Sequence, residues 1–369
     1  MMPDDPKYSI VFVTFSNYPD QGSTAVYEYS QRLVEKGNEV KVISVGGGDE
    51  EKKIGRVTNY CLEVDGTKRL SASNLRFTGK ARKLLTDILC ESSIDIVHVM
   101  YYAGCSRLVI NRGRGPKWVC DVRSGAIRGP IINMMWGLVE RMELVRFDHT
   151  FYIDESLVNV EYYSLMPLGV NIDHFKPNPM KEEEKENIRL VYCGSLNHER
   201  RLENVLKAVQ TLKKRGLEVS LTLIGSGDAR TRLEKLAEDY NIKEQVVFTG
   251  YLEYNHVPNA LSLNDYGVAY VPMVSEYNHQ PPLKTLEYLS CGLPVIATNT
   301  AGNRKYVVDG LNGVLVGDSP SSMVEAVERL HRCSCYKELS EASRRSVLDH
   351  SWDAVIEDYL IPVYRSLRD

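Results

Sequence analysis

No apolar run in this sequence approaches the ~20 residues that a membrane-spanning helix requires. Any membrane contact is therefore expected at the protein surface. Charge of one sign is not in excess: 45 Lys and Arg stand against 49 Asp and Glu, a formal net charge of −4. A nucleic-acid binder would show a strongly basic face, so no nucleic-acid partner is expected. The eight cysteines lack the paired spacing of a zinc site and read as reduced core thiols; no metal site is expected. The polar stretch 1–8 runs straight into an apolar strand with nothing like a signal peptide before it, which makes the cytoplasm the expected compartment. The three-glycine dinucleotide fingerprint is also missing. Gly22 stands alone after the first strand, and Gly225-Ser226-Gly227 lacks the third glycine. This argues against an NAD-dependent oxidoreductase.

What the chain does have is alternation. At 369 residues, 43% hydrophobic and 25% charged, it suits two soluble α/β domains of ordinary size. Short apolar runs at 10–15, 39–45, 94–100, 118–122 and 150–153 read as buried strands. Helical spacing at 24–36, 78–91 and 134–146 separates them. Periodicity stops at 166–177, and the charge run at 181–186 marks a connection. The pattern then restarts, with strands expected at 189–193, 219–224, 246–248, 266–271 and 294–298. Helices are expected at 202–215, 229–240, 283–291, 321–333 and 336–348, and a last amphipathic helix at 352–367. Two doubly wound sheets in tandem place ligand crevices at the carboxyl ends of their strands.

Three stretches could hold an anion there. Gly22 and Ser23 precede a helix start, whose free amides favour a phosphate; an ordinary strand-to-helix turn explains them equally. In Tyr192 to Arg201 (YCGSLNHERR), a glycine at the strand end is followed six and seven residues later by Arg200 and Arg201. A guanidinium there can hold a diphosphate bidentately, or simply be a solvated helix start. In the stretch 276–298 (EYNHQPPLKTLEYLSCGLPVIAT), Pro281 and Pro282 set up a helix beginning near Leu283, Lys284 adds charge at its start, and Glu287 follows one turn later. A carboxylate so placed can accept both hydroxyls of a ribose.

Taken together, GSTAVYEYSQRLVEKGNEVKVIS, PLGVNIDHFKP, VYCGSLNHERRLENVLKA, LTLIGSGDARTRLEKLAEDYNI, VVFTGYL, PLKTLEYLSCGLPVIAT, YVVDGLNGVLV and SWDAVIEDYL run in the order of the GT-B glycosyltransferases. The chain resembles in particular retaining family four, the glycosyl transferases group 1, over nearly its whole length. The resemblance implies two Rossmann-like doubly wound parallel-sheet α/β domains facing a central cleft. These would be an acceptor-side domain at 1–168, with 352–369 packing back on it, and a nucleotide-sugar-binding domain at 169–351. It implies that Gly22, Ser23, Gly194 and Ser195 approach the donor diphosphate, that Arg200 takes the place of a phosphate-binding lysine, and that Glu287 binds the ribose. Tyr251 would lie by the base, His279 by the donor sugar, and Pro282 and Leu283 at the helix end.

The form PLK-x-LEY, shared with a subset of the family, makes Lys284 a second diphosphate cation. Cys120-Asp121-Val122-Arg123-Ser124 resembles the acceptor-side strand of that subset, so Asp121, Arg123 and His98 are expected to line the acceptor half; a packed core histidine is the other reading of His98. Ser195, His279 and Lys305 depart from the arginine, glutamate and glutamate usual in the family. No cofactor is expected, the co-substrate being a nucleotide-diphosphate sugar, with UDP- or GDP-sugar foremost. The implied reaction is metal-independent transfer, with retention, to a glycan or lipid-linked acceptor. A GT-B nucleotide-sugar epimerase and a non-catalytic nucleotide-sugar-binding protein are the rivals. The stretch 112–146 mixes arginines with Ile131, Met134, Trp136 and Leu138, and reads either as an interfacial helix at the inner face of a membrane or as one burying its stripe in the core.

Overall fold

The computed structural model describes residues 7–19, 23–64, 70–110, 113, 115–123, 130–178, 187–275, 277–279, 283–333 and 335–368, with backbone alone at 70–71 and 130–136. The chain divides into two compact units, Met1–Leu168 with Trp352–Asp369, and Gly169–Ser351.

The first unit holds β1 (Ser9–Asn17), β2 (Glu39–Gly46), β3 (Glu50–Ile54), β4 (Val57–Glu63), β5 (Ile96–Met100), β6 (Lys117–Val122), β7 (His149–Tyr152) and β8 (Tyr163–Leu165), with helices α1 (Thr24–Glu35), α2 (Leu70–Glu91) and α3 (Pro130–Leu144). Strand order is β3-β4-β2-β1-β5-β6-β7-β8. Pairing is parallel except between β3 and β4. Ile10, Val11, Phe12 and Val13 of β1 are all buried because helices cover both faces of a parallel sheet. The β3–β4 hairpin was not expected: β3 reads EEKKI and is charged and mostly exposed, the composition that protects a sheet edge rather than the alternation that announces a strand. Helix α1 buries Val26, Tyr29, Leu33 and Val34 and ends before Gly37, whose φ of 88° is the left-handed cap that glycine accepts.

The C-terminal segment belongs to this unit. It is helical over Trp352–Val355, makes a π turn over Ile356–Leu360, and resumes as an α-helix over Ile361–Arg368, so the expected continuous helix is interrupted. Trp352 meets Tyr29 edge-on at 5.5 Å, and Tyr364 meets Tyr8 at 5.9 Å.

The second unit contains β9 (Asn187–Cys193), α4 (Glu203–Lys214), β10 (Glu218–Ile224), α5 (Arg230–Asp239), β11 (Val246–Gly250), α6 (Val257–Ser262), β12 (Tyr266–Ala269), α7 (Leu283–Ser290), β13 (Val295–Thr298), β14 (Gly313–Val316), α8 (Pro320–Arg332) and α9 (Tyr336–Arg345). Its strands are parallel in the order β11-β10-β9-β12-β13-β14. Counted within the unit this is 3-2-1-4-5-6, the Rossmann order, and its reversal point lies between β9 and β12. One thiol expectation is corrected here: Cys333 and Cys335 are joined in a disulfide, and Cys90 is exposed, while Cys61, Cys105, Cys120, Cys193 and Cys291 are free and buried.

Candidate functional site

At the reversal point of the second unit, three strand ends are closed by glycine. Gly194 N donates to Ile224 O (2.9 Å) and Gly225 N to Gly250 O (2.9 Å), tying the ends of β9, β10 and β11 together. Gly225 has φ of 140°, and a Cβ there would lie 1.9 Å from Gly194 O, so only glycine fits. Beyond Gly194 the chain turns through Ser195 and a single 3₁₀ turn at His198–Arg200 before α4 begins. Arg200 Nε lies 3.4 Å from Ser195 Oγ, and the guanidinium stacks over the Tyr277 ring at 5.0 Å. Among the described residues no carboxylate pairs with Arg200. Arg201 differs: exposed and with φ of 50°, it approaches Asp318 at 4.0 Å. The two adjacent arginines thus part at the end of the 3₁₀ turn, Arg200 being its last residue and Arg201 the left-handed residue that follows.

Helix α7 starts on the other side of the reversal point. Lys284 Nζ donates to Glu287 Oε2 at 2.8 Å; Glu287 is 2% exposed and the Lys284 side chain 24%. Glu287 is therefore buried and does not face solvent. Burial works against the charge on Lys284, but the Glu287 carboxylate outweighs it and holds the ammonium above the ordinary lysine range. Cys193, at the end of β9, is close enough to feel both; burial pushes its thiol up to about 11. Tyr251 follows β11, is 57% exposed, and acts electrostatically on Lys284. Leu283 opens α7, half-buried, and His279 is exposed. Gly22 and Pro282 lie outside the described residues. Ser23 is buried at the start of α1 and sits in the first unit.

The structure adds partners that sequence reasoning missed. Tyr192 Oη donates to Ser195 O (3.1 Å), and Tyr288 Oη accepts from Cys193 N (2.7 Å). Both are strand or helix aromatics whose period marks them only as core. Asn303, fully buried, donates to Ala269 O (3.2 Å) and Thr298 O (2.8 Å), fastening the ends of β12 and β13.

In the first unit, Arg123 Nε reaches both oxygens of Asp121 at 2.9 Å, at the end of β6, and its Nη2 donates to Tyr29 Oη. Asp121 is buried; burial would raise its pKa, but Arg123 and then His98 prevail and hold the carboxyl below the usual range. His98 is 0% exposed, 5.1 Å from Phe12 and stacked on Phe151 at 5.9 Å. Its Nδ1 lies 2.6 Å from Tyr364 Oη and its Nε2 3.7 Å from Asp121 Oδ2. Burial lowers its pKa against the pull of Asp121. His98 is therefore a core histidine; it touches the strand-end pair from behind instead of lining a surface beside it. Among the described residues no group of His, Cys, Asp and Glu could hold a metal ion.

The fold and these strand-end constellations define a GT-B protein. Residues 175–346, nearly all of the second unit, match the family Glycosyl transferases group 1. It is 29% identical to the alpha-D-kanosaminyltransferase of Streptomyces kanamyceticus over 142 residues, 38% of this chain and 36% of the relative. Against the N-acetyl-alpha-D-glucosaminyl L-malate synthase of Bacillus anthracis identity is 23% over 382 residues, 95% and 96% of the two chains. The chain spans about half the length, or less, of the curated relatives it matches first. In fold it is similar to sucrose-phosphate synthase from Thermosynechococcus elongatus, with a TM-score of 0.80 at 17% identity, covering 97% of this chain and 99% of the other.

Proposed function

We propose that this protein transfers a sugar from a nucleotide-diphosphate sugar, UDP- or GDP-linked, to a hydroxyl of a glycan or lipid-linked acceptor, with retention of configuration. The observation that carries the reading is Arg200: a half-buried guanidinium that meets no carboxylate among the described residues, at the reversal point of a Rossmann sheet, where an anionic ligand would neutralise it. Names of relatives such as the malate synthase support glycosyl transfer as the reaction class. Glu287 would accept the ribose hydroxyls while Lys284, already bound to it, turns toward the diphosphate. Because that pair has no net charge, Arg200 supplies most of the positive field that a metal ion would otherwise provide. In the transfer step the departing phosphate takes the acceptor proton, the C1–O bond to phosphate breaks as the C1–O bond to the acceptor forms, and Arg200 steadies the charge gathering on the diphosphate. Asp121 and Arg123 would face the acceptor.

A thermal-shift series of UDP-, GDP- and ADP-sugars tests the donor: a true donor stabilises the chain by mass action. Release of nucleotide from that donor then separates an enzyme from a binding protein. Absence of any shift across the series would sink the reading.

A second observation favours attachment to a membrane face. From Gly137 onward α3 exposes Leu138 (62%), Val139 and Met142 (73%), with Val145 (52%) just beyond it, and only Leu144 of this run is buried. Arg141 and Arg146 stand exposed among them. No described helix is long and apolar enough to cross a membrane. We propose that this face rests on an anionic lipid surface, as suits a lipid-linked acceptor.

A further inference from the structure

The loop after β12 carries Tyr277, and it is pinned from several sides. Met273 N donates to Asp318 Oδ2 (3.0 Å), and Tyr277 N donates to Val274 O (3.1 Å). Asn278 is held twice, its carbonyl accepting from Gly302 N (2.7 Å) and its Oδ1 from Ala301 N (3.0 Å). Asp318 is itself fixed by the Tyr270 hydroxyl, which also accepts from Asn204 Nδ2 (2.7 Å). A half-buried aromatic ring on so constrained a turn is a fixed platform. The Arg200 guanidinium lies over it at 5.0 Å, with Ser195 Oγ at its Nε. These contacts join the loop after β9 to the loop after β12, the two that flank the reversal point.

We propose that Tyr277 is a positioning residue for Arg200: its ring face, not its hydroxyl, holds the guanidinium ready for a ligand diphosphate. The inference rests on the donor reading of Arg200. An unrestrained arginine loses rotamer freedom when a ligand captures it, whereas one already stacked has little left to lose and binds more tightly for that reason. The family's usual arginine after the strand glycine is Ser195 here, too short to reach a ligand as a cation. Preorganising the remaining guanidinium offsets that lost charge.

Isothermal titration with UDP and GDP, and with uridine and guanosine as phosphate-free controls, tests this on the full chain. Tyr277→Leu is expected to weaken the diphosphate that binds by roughly three- to tenfold, the range of an exposed to partly desolvated cation–π contact, with nucleoside affinity unmoved. Tyr277→Phe, which keeps the ring, rescues the affinity. In the Arg200→Ala background Tyr277→Leu adds nothing, because both changes act on one interaction. If Arg200→Ala weakens binding but Tyr277→Leu does not, or if the two losses add, the positioning role is wrong and the donor reading stands. If Arg200→Ala leaves diphosphate affinity untouched, or neither diphosphate binds the unmodified chain, the donor reading itself fails.

Discussion

The Lys284 ammonium and the Glu287 carboxylate meet at 2.8 Å across one turn of α7, the carboxylate almost wholly buried and the ammonium only a quarter exposed. Among the described residues Lys284 is the one cation that meets this carboxylate, and the carboxylate holds the ammonium above the ordinary lysine range. The two residues therefore cannot be altered independently: a change in one moves the other.

Lys284→Met is expected to destabilise the second unit by about 2–3 kcal/mol, below the usual cost of breaking a fully buried pair because part of Lys284 meets solvent. Adding Glu287→Leu removes the orphaned charge and should recover much of that loss without recovering nucleotide affinity. Urea unfolding followed by far-ultraviolet circular dichroism, beside nucleotide titration, reads both. Recovery of binding in the double variant would show that Glu287 has no part in holding the ligand.

Arg200 and Arg201 are neighbours in sequence with different surroundings, one stacked on Tyr277 and the other exposed near Asp318. Arg200→Ala should lower turnover of the donor found by thermal shift by roughly 10²-fold, as loss of one preorganised charge partner does. Arg201→Ala should change it by less than about threefold, since exposed pairs contribute little. Equal losses in steady-state rates would contradict the separation of their roles.

At Gly225 the backbone itself is the obstacle. Alanine would set a Cβ 1.9 Å from Gly194 O at a φ of 140°, so backbone atoms must shift to admit it. Gly225→Ala is expected to cost about 2 kcal/mol or more, and to shift the Ser195–Arg200 turn enough to impair diphosphate binding. A melting temperature within a degree of the parent would refute this.

Much of this was legible in advance, for a physical reason. Residues 10–13 of β1 are buried on both faces, so their apolar run stands out, whereas β10 alternates buried Val219, Leu221 and Leu223 with half-buried Ser220 and Thr222; Gly194 and Gly225, just past β9 and β10, mark the loops. The β3–β4 hairpin was hidden because a protective edge strand is written in charge. The Lys284 and Glu287 spacing of three was visible, yet their mutual pairing became plain only once both were seen facing the same side of α7. Tyr277 carried no signal of its own. Its role arises from the meeting of two loops 77 positions apart in the chain, and only the strand order brings them together.

The imidazoles of the first unit make its stability depend on pH with a definite sign. Burial, followed by the influence of His98, lowers His149 to about 4, and burial lowers His98 as well. In the unfolded chain both take a proton near the usual value of about 6.5, so there the unfolded state binds more protons and stability rises with pH. The contribution is fully present above about 6.5 and is lost as pH falls toward 4. All three tryptophans, Trp118, Trp136 and Trp352, belong to the first unit, so intrinsic fluorescence in urea reports on it. The midpoint should fall between pH 7.5 and 5, and His149→Phe should flatten that slope; an unchanged slope would remove His149 from the account.

The exposed face of α3 carries a titration of its own. Glu140 is raised to about 7, by burial first and then by the neighbouring Glu143 carboxylate. Above that pH a negative charge lies near Leu138, Val139 and Met142 and opposes an anionic surface; below it the Glu140 side chain is neutral. Flotation with vesicles containing phosphatidylserine should therefore recover more protein at pH 6 than at pH 8. Glu140→Gln should bind at both pH values as the parent does at pH 6, and Met142→Glu should weaken binding throughout, because it places charge where apolar area would enter the interface. Salt should weaken the attachment, since Arg141 and Arg146 act through a field screened within about 10 Å at 0.1 M. If the parent stays in the soluble fraction at pH 6 and low salt, the apolar face of α3 does not serve a membrane.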